Sequence, residues 1–295
     1  MKLRSRKAAG AALTLPLLLS GCLFSTRRLP VPKAPLVTQT VSADALVSRL
    51  NDRWTALESL TAKVEIQASV LKSKEGTATD YTTINGRIVM RKPGQLRVVG
   101  LAPLLDTRIF DMASDGKTFT LSIPLKNKAF RGSNALKKKS ANQFENLRPS
   151  VFFDAMMVRG LEPEDEYMVT AETLTMEDAA KKHLYSVPEY ILSIMRRKPG
   201  TQELAPVRVV RFHRDDLLPY QQDSYDSEGN LETQVTYSNY QDFDTSRYPS
   251  KIVIKRPLDE LQLVMTVDKE VENLKLTDEQ FLVKVPEGTP VQELE

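Results

Sequence analysis

Apolar and polar positions along this chain alternate with two periods, and the change from one to the other marks its first fold boundary. After Ser42, a suitable N-cap with Asp44 behind it in the first turn, Val47, Leu50, Trp54 and Leu57 recur at helical spacing. That predicts a helix with one apolar face, on which the sole tryptophan reads as a core anchor. The period then drops to two. Ala62, Val64, Ile66, Ala68 and Val70 alternate with Lys63, Glu65, Gln67 and Ser69, the pattern of a half-buried strand in an antiparallel sheet.

Similar strands are predicted at 84–91, 96–101, 107–112 and 117–123. Asp115-Gly116 supplies a hairpin turn between the last two. Asn85-Gly86 could also turn the chain, but Ile84, Gly86, Ile88 and Met90 alternate through it, so the stretch reads as strand. A polar, lysine-rich segment around 132–143 interrupts the series. "LRPSVFFDAMMVRG" then reads as a short helix, with Pro149 near its first turn and Gly160 as its stop. Further strands are expected near 167–174, 184–196, 206–214, 219–226, 231–240, 251–256 and 261–268. Long strands, short turns and no βαβ rhythm predict a mainly β fold, a curved antiparallel half-open barrel of about 11 strands with two or three helices.

The N-terminus has a different pattern. Lys2, Arg4, Arg6 and Lys7 precede an apolar run from Ala8 to Leu19, which leads through Ser20-Gly21 to Cys22. A charged start, a short apolar run and small residues describe an export signal. About 12 apolar residues fall short of a spanning helix, and Pro16 lies within them. Leu19-Ser20-Gly21-Cys22 resembles the bacterial lipobox. That resemblance implies cleavage before Cys22, a diacylglycerol on its thiol and an acyl chain on its new amine. It also implies, with Leu23 following the cysteine, export to the outer membrane. The alternative is an ordinary signal with a coincidental cysteine. Residues 1–21 are thus expected to be removed. Residues 22–41, with Pro30, Pro32 and Pro35, read as an extended tether of up to ~60 Å, and 42–295 as one β domain.

Charge changes meaning once the signal is set aside. The chain has 41 Lys and Arg against 38 Asp and Glu; without the four basic residues of 1–21 the balance is 37 to 38, a net of −1. No clustered basic footprint for nucleic acid remains. Glycine fingerprints, P-loops, GxSxG and HExxH are absent from the sequence. His183 and His213 lie apart among basic neighbours and read as surface or rim residues. "EPEDE" at 162–166 and "HRDD" at 213–216 read as solvated turns, since glycosidase chemistry needs two carboxylates facing across a cleft. Lys137-Lys138-Lys139 reads as a solvated loop or, more weakly, a contact for anionic lipid. No cofactor is implied beyond the lipid on Cys22, and the chain reads as non-enzymatic.

Several stretches together resemble the LolA/LolB superfamily of lipoprotein-localisation factors: "ESLTAKVEIQASV", "INGRIVMRKPGQLRVVGLAPLLDTRIFDMASDGKTFTL", "NLRPSVFFDAMMVRGL", "DSYDSEGNLETQVTYSNY", "YPSKIVIKRP" and "LTDEQFLVKVPEG". Order and spacing, across nearly all of 43–288, carry the likeness. It implies helices closing the concave face of a half-open barrel whose interior takes acyl chains of lipoproteins or related amphiphiles. It implies a membrane anchor, a lipoprotein or lipid cargo, and a soluble periplasmic carrier as a partner. Within "LAPLLDTRI" it makes Leu104 a protruding apolar residue, with Leu105 standing where a glycine is common; packing of both leucines under the barrel lip is the alternative. The candidate binding set is Leu104, Leu105, Trp54 and the methionines Met90, Met112, Met156, Met157, Met195 and Met265, which serve equally as core filling or as an adaptable apolar surface. A scaffold or stress sensor using the same fold to bind a protein is the second reading.

Overall fold

The computed structural model describes residues 38–294 except 135–139, 141–142, 178–179, 181 and 245. The expected signal, Cys22, the tether as far as residue 37 and Lys137-Lys138-Lys139 lie outside the described residues. Leu36–Thr173 with Pro188–Glu295 forms one compact unit, and Leu174–Val187 groups separately.

Helix α1 (Ala43–Ala56) starts where the periodicity placed it. Ser42 Oγ accepts from the Ala45 N–H at 3.2 Å, a cap that contributes ~1 kcal/mol. Leu46, Val47 and Leu50 form its buried face. The strands are β1 (Ser59–Lys72), β2 (Thr77–Asp80), β3 (Ile84–Arg91), β4 (Gln95–Leu101), β5 (Arg108–Ser114), β6 (Thr118–Ile123) and β7 (Lys128–Ser133). After α2 (Pro149–Met156) come β8 (Asp165–Glu177), β9 (Leu184–Arg197), β10 (Leu204–His213), β11 (Pro219–Tyr225), β12 (Leu231–Asp242), β13 (Arg247–Arg256), β14 (Leu261–Glu272) and β15 (Val291–Leu294).

All fifteen belong to one sheet, ordered β15-β7-β6-β5-β4-β3-β1-β14-β13-β12-β11-β10-β9-β8, with β2 paired to β1 off this path. The end strands do not pair with each other, so the barrel is open. The expected count of about 11 is too low. The unforeseen β2, β7 and β15 are short, and β2 and most of β15 are exposed, so they carry little alternation to read. Nor is the sheet wholly antiparallel, since β15 runs parallel to β7. Strand β1 sits centrally between β3 and β14, which lets a contact-rich early strand join two halves made later in the chain.

The helix-covered face carries aligned apolar rows. Ile84, Ile66, Met265, Ile252 and Tyr237 are successive partners across β3, β1, β14, β13 and β12. In another row Gly86 and Gly100 pair between Val64 and Phe110. A Cβ on Gly100 would lie 2.4 Å from the Phe110 ring, and one on Gly86 2.7 Å from Val64 Cγ2. Neighbouring side chains therefore lie over the bare backbone of β3 and β4, as aromatic cover over sheet glycines does elsewhere.

Helix α2 buries Val151, Phe152, Phe153, Ala155 and Met156 against the larger core, while α1 packs on Leu192, Ile194, Val210 and Phe212. Helix α2 ends at Met156, four residues before the expected stop. Gly160 instead backs onto α1: a Cβ there would stand 2.7 Å from Asn51 Oδ1.

Candidate functional site

Between α1 and the inner face of β10–β13 lies a cavity of about 290 Å³ that opens to solvent. Leu46, Leu50, Met156, Phe212 and Leu217 supply apolar walls, and Tyr237, Tyr240 and Tyr248 line it from β12 and β13. Two of the three phenols are committed to backbone: Tyr240 Oη donates to Pro219 O at 2.6 Å and Tyr248 Oη to Met156 O at 2.8 Å. The third, Tyr237 Oη, is closed off from solvent and has no hydrogen-bond partner among the described residues, and burial raises its pKa. Arg49, Arg53, Arg247 and Asp216 complete the lining, with Arg49 and Arg247 exposed.

A second apolar cavity, about 320 Å³, lies over β5–β7. Phe110, Phe119, Phe130 and Phe152 line it, and Lys126 and Lys128 stand at its border. Between the two, a polar pocket beside α2 contains the buried Arg256, which is held by Asp259 at 2.7 Å and Thr233 at 3.0 Å. Arg208 is also buried, donating to Gly160 O at 2.8 Å, and burial lowers its pKa.

Charge sits at the foot of α1. Arg53 meets the Glu272 carboxylate with both terminal nitrogens. Burial acts to lower the pKa of this guanidinium, but the Glu272 hydrogen bonds and charge raise it on balance. Glu270 is fully buried and occupies one row with Ala62, Ile88, Val98 and Met112. Ser246 Oγ donates to its Oε2 at 3.0 Å, while Oε1 has no partner among the described residues. Burial, reinforced by Glu272, pushes its pKa up to about 7.

The candidate residues fall in several places. Leu104 and Leu105 occupy the loop between β4 and β5 and are 94% and 82% exposed. The left-handed residue of this loop is Asp106, φ 48°, so no glycine is needed at Leu105. Met156 lines the cavity under α1 and Met112 the second cavity. Met90, Met157 and Met265 are buried in the main core and line neither. Met195 is half-buried, one position out of phase with the buried Leu192 and Ile194, and so points to the other face of β9. Trp54 is partly buried, with Lys92 Nζ 4.7 Å from its ring centre, and lines neither cavity.

The remaining candidates are absorbed by local structure. His213 stacks on Tyr220 at 4.2 Å. Tyr220 donates to the buried Glu189, which also accepts from Arg211 at 3.3 Å. Burial and that bond push the Tyr220 phenol up to about 12. In the expected solvated turn at 162–166, Asp165 is instead covered by Arg196 at 2.7 Å and Glu166 pairs with Arg197 at 2.7 Å. Among the described residues no three His, Cys, Asp or Glu side chains converge as metal ligands, and no helix is long and apolar enough to cross a membrane.

Periodicity had not singled out the tyrosines and arginines of the α1 cavity. The available signal was Val235 and Tyr237 in alternation along "VTYSNY", with no means of placing them beneath α1.

No protein-family model and no curated protein sequence matches the chain. Solved structures do. A LolA superfamily protein from Nitrosomonas europaea superposes with a TM-score of 0.51 at 13% identity, over 83% of this chain and 99% of its own. A DUF1329 family protein from Desulfovibrio piger superposes with a TM-score of 0.50 at 14% identity, over 81% of this chain and 95% of its own. The open sheet with α1 and α2 over one face is thus a LolA-like fold.

Proposed function

We propose that the chain is a non-enzymatic, outer-membrane-anchored lipoprotein facing the periplasm, which holds acyl chains of lipoprotein or lipid cargo and assists delivery of that cargo to the outer membrane. The observation that carries this reading is the apolar cavity under α1, open to solvent, in a fold shared with a LolA superfamily protein. Such a chamber needs no reactive group. Removing apolar area from water contributes roughly 25 cal/mol per Å², so an acyl chain is held by burial and leaves when a membrane offers the same burial. On this reading Cys22 carries the diacylglycerol and N-acyl chain, and more than one chain makes the anchor stable. Leu104 and Leu105 then present apolar side chains to the bilayer during transfer, and a soluble periplasmic carrier supplies the cargo.

Solvent extraction and native mass spectrometry of the purified mature chain test the proposal. Acyl lipid or lipoprotein is expected to co-purify in addition to the anchor. A protein that carries nothing and takes up no fluorescent fatty acid would overturn it.

A further inference from the structure

Exposed leucines on three separate connections share one end of the sheet. Strands β4, β6 and β13 point the same way, so the connections after them emerge together. Each connection carries a Pro-Leu pair, Pro103-Leu104, Pro124-Leu125 or Pro257-Leu258, and the described residues hold no other. Leu125 is 69% and Leu258 45% exposed, beside the 94% of Leu104. The last two pairs open single 3-10 turns, Pro124–Lys126 and Pro257–Asp259. Each turn is closed by a left-handed residue, Asn127 or Glu260, whose N–H donates to the proline carbonyl. Proline fixes the backbone where each turn starts, so little ordering remains to be done when the leucine meets a partner.

The register puts these tips at one level. Phe110, Gly100, Gly86, Val64 and Val267 form one paired row. Leu125, Leu104 and Leu258 stand two, four and nine residues beyond it. A stagger of seven residues across six strand spacings corresponds to a tilt of about 40°, the tilt of strands in a barrel. The three leucines therefore follow the rim, roughly 12 and 25 Å apart. Lys74, Lys126 and Lys128 are exposed at the same end and enter no ion pair among the described residues. Nearby acids are taken: Asp259 by Arg256, Glu75 by Lys72 and Glu260 by Ser73. Separate apolar knobs at one level, with free cations beside them, suit a bilayer whose hydrocarbon lies at one depth under an anionic surface. A protein partner would need three matched sockets. The second cavity also reaches this end, with Lys126 on its border.

We propose, resting on the membrane-anchored carrier reading, that this rim docks end-on against an anionic bilayer. Leu125 and Leu258 enter the bilayer alongside Leu104, and the second cavity opens toward the lipid.

Cysteine-directed fluorescence tests it. The Cys22→Ala protein holds no thiol and no lipid anchor to mask the contact. Leu125→Cys, Leu258→Cys and, at the opposite end of the sheet, Asp244→Cys then each take one polarity-sensitive dye, and melting curves check each fold. With vesicles of phosphatidylethanolamine and phosphatidylglycerol, the dyes at positions 125 and 258 are expected to shift to the blue and the dye at 244 to stay unchanged. Leu125→Ser and Leu258→Ser should each weaken vesicle binding about tenfold. Lys126→Gln combined with Lys128→Gln should also weaken it about tenfold, and only while phosphatidylglycerol is present. Dyes at 125 and 258 that stay in water, whether or not Leu104→Glu alters binding, confine any contact to one loop and overturn the proposal while the carrier reading stands. A blue shift that grows with protein concentration in the absence of vesicles assigns the rim to a second copy and likewise overturns it. Failure of the parent protein to take up fatty acid, with dyes that still respond to vesicles, strikes the carrier reading alone.

Discussion

Arg53 on α1 and Glu272 on β14 form a two-pronged ion pair, Nη1 donating to Oε2 at 2.8 Å and Nη2 to Oε1. The pair ties the helix that roofs the cavity to the strand beside the central β1. The Glu272 side chain is 6% exposed and the Arg53 side chain 45%, so only the carboxylate is fully desolvated. Arg53→Ala should cost about 1–3 kcal/mol, because it leaves a buried carboxylate beside Glu270. Urea unfolding measures the loss, and hydrogen exchange should show α1 amides opening more often than those of β1.

Glu270 makes stability depend on pH. Its folded pKa is about 7, against an ordinary 4.5. The folded protein therefore keeps a proton that the unfolded chain releases, and the contribution of this group falls as pH rises from about 4.5 to 7. A rise from 4.5 to about 7, with the offsetting charge of Arg53 already included, corresponds to a loss on the order of 3 kcal/mol. Glu270→Gln should flatten this part of the profile and raise the melting temperature at pH 8. An unchanged slope would show that Glu270 titrates normally.

Gly100 tests the glycine row. Gly100→Ala places a Cβ 2.4 Å from the Phe110 ring, and overpacking of this kind costs about 1–3 kcal/mol. Phe110 also lines the second cavity, so a displaced ring should perturb that cavity before the one under α1. Denaturant midpoints and the near-ultraviolet spectrum report the two effects.

Leu104 separates transfer from folding. Leu104→Glu changes a side chain that is 94% exposed, and stability should stay within about 0.5 kcal/mol. Delivery of bound lipid to vesicles should collapse while uptake persists. Transfer at the original rate would remove this loop from the mechanism.

Cys22→Ala tests the anchor. The variant, exported by a signal that does not require the lipobox, should move from the membrane to the soluble periplasmic fraction with its domain folded. Complete retention in membranes would remove the lipid from the reading.

Much of the sheet was legible because its long strands alternate cleanly. Asp115-Gly116 was read as a turn, and it is one: Asp115 Oδ1 accepts from the N–H groups of Lys117 and Thr118 at 2.8 and 2.7 Å, which lowers the Asp115 pKa. Asn85-Gly86 was read as strand and lies within β3. The start of β13 was not legible, since Pro249 discourages a strand assignment, yet Pro249 pairs opposite Tyr240. Residues 39–41 were counted with the tether, but Gln39 N–H donates to Arg214 O at 2.6 Å and Val41 N–H to Tyr190 Oη at 3.1 Å. The protruding Leu104 loop was legible through its resemblance. The cavity under α1 was not, because its walls come from α1, β10–β13 and the end of α2, segments far apart in the chain.

The end of β14 shows what separates the two levels. Alternation through Leu261, Leu263, Met265 and Val267 was enough to determine a strand and its inner face, because each apolar side chain needs burial. Continued in phase, that alternation would put Val271 inside and both glutamates in solvent. The pairing with β1 instead passes from Val64–Val267 to Lys63–Lys269, leaving Asp268 as a bulge. One extra residue reverses every later side chain, so Glu270 and Glu272 turn inward and Glu272 meets Arg53. The sequence by itself determined the apolar strands and the capped helix, through local spacing. Only the tertiary structure decided the bulge, the buried acids and the cavity that α1 covers, because those depend on partners across the sheet.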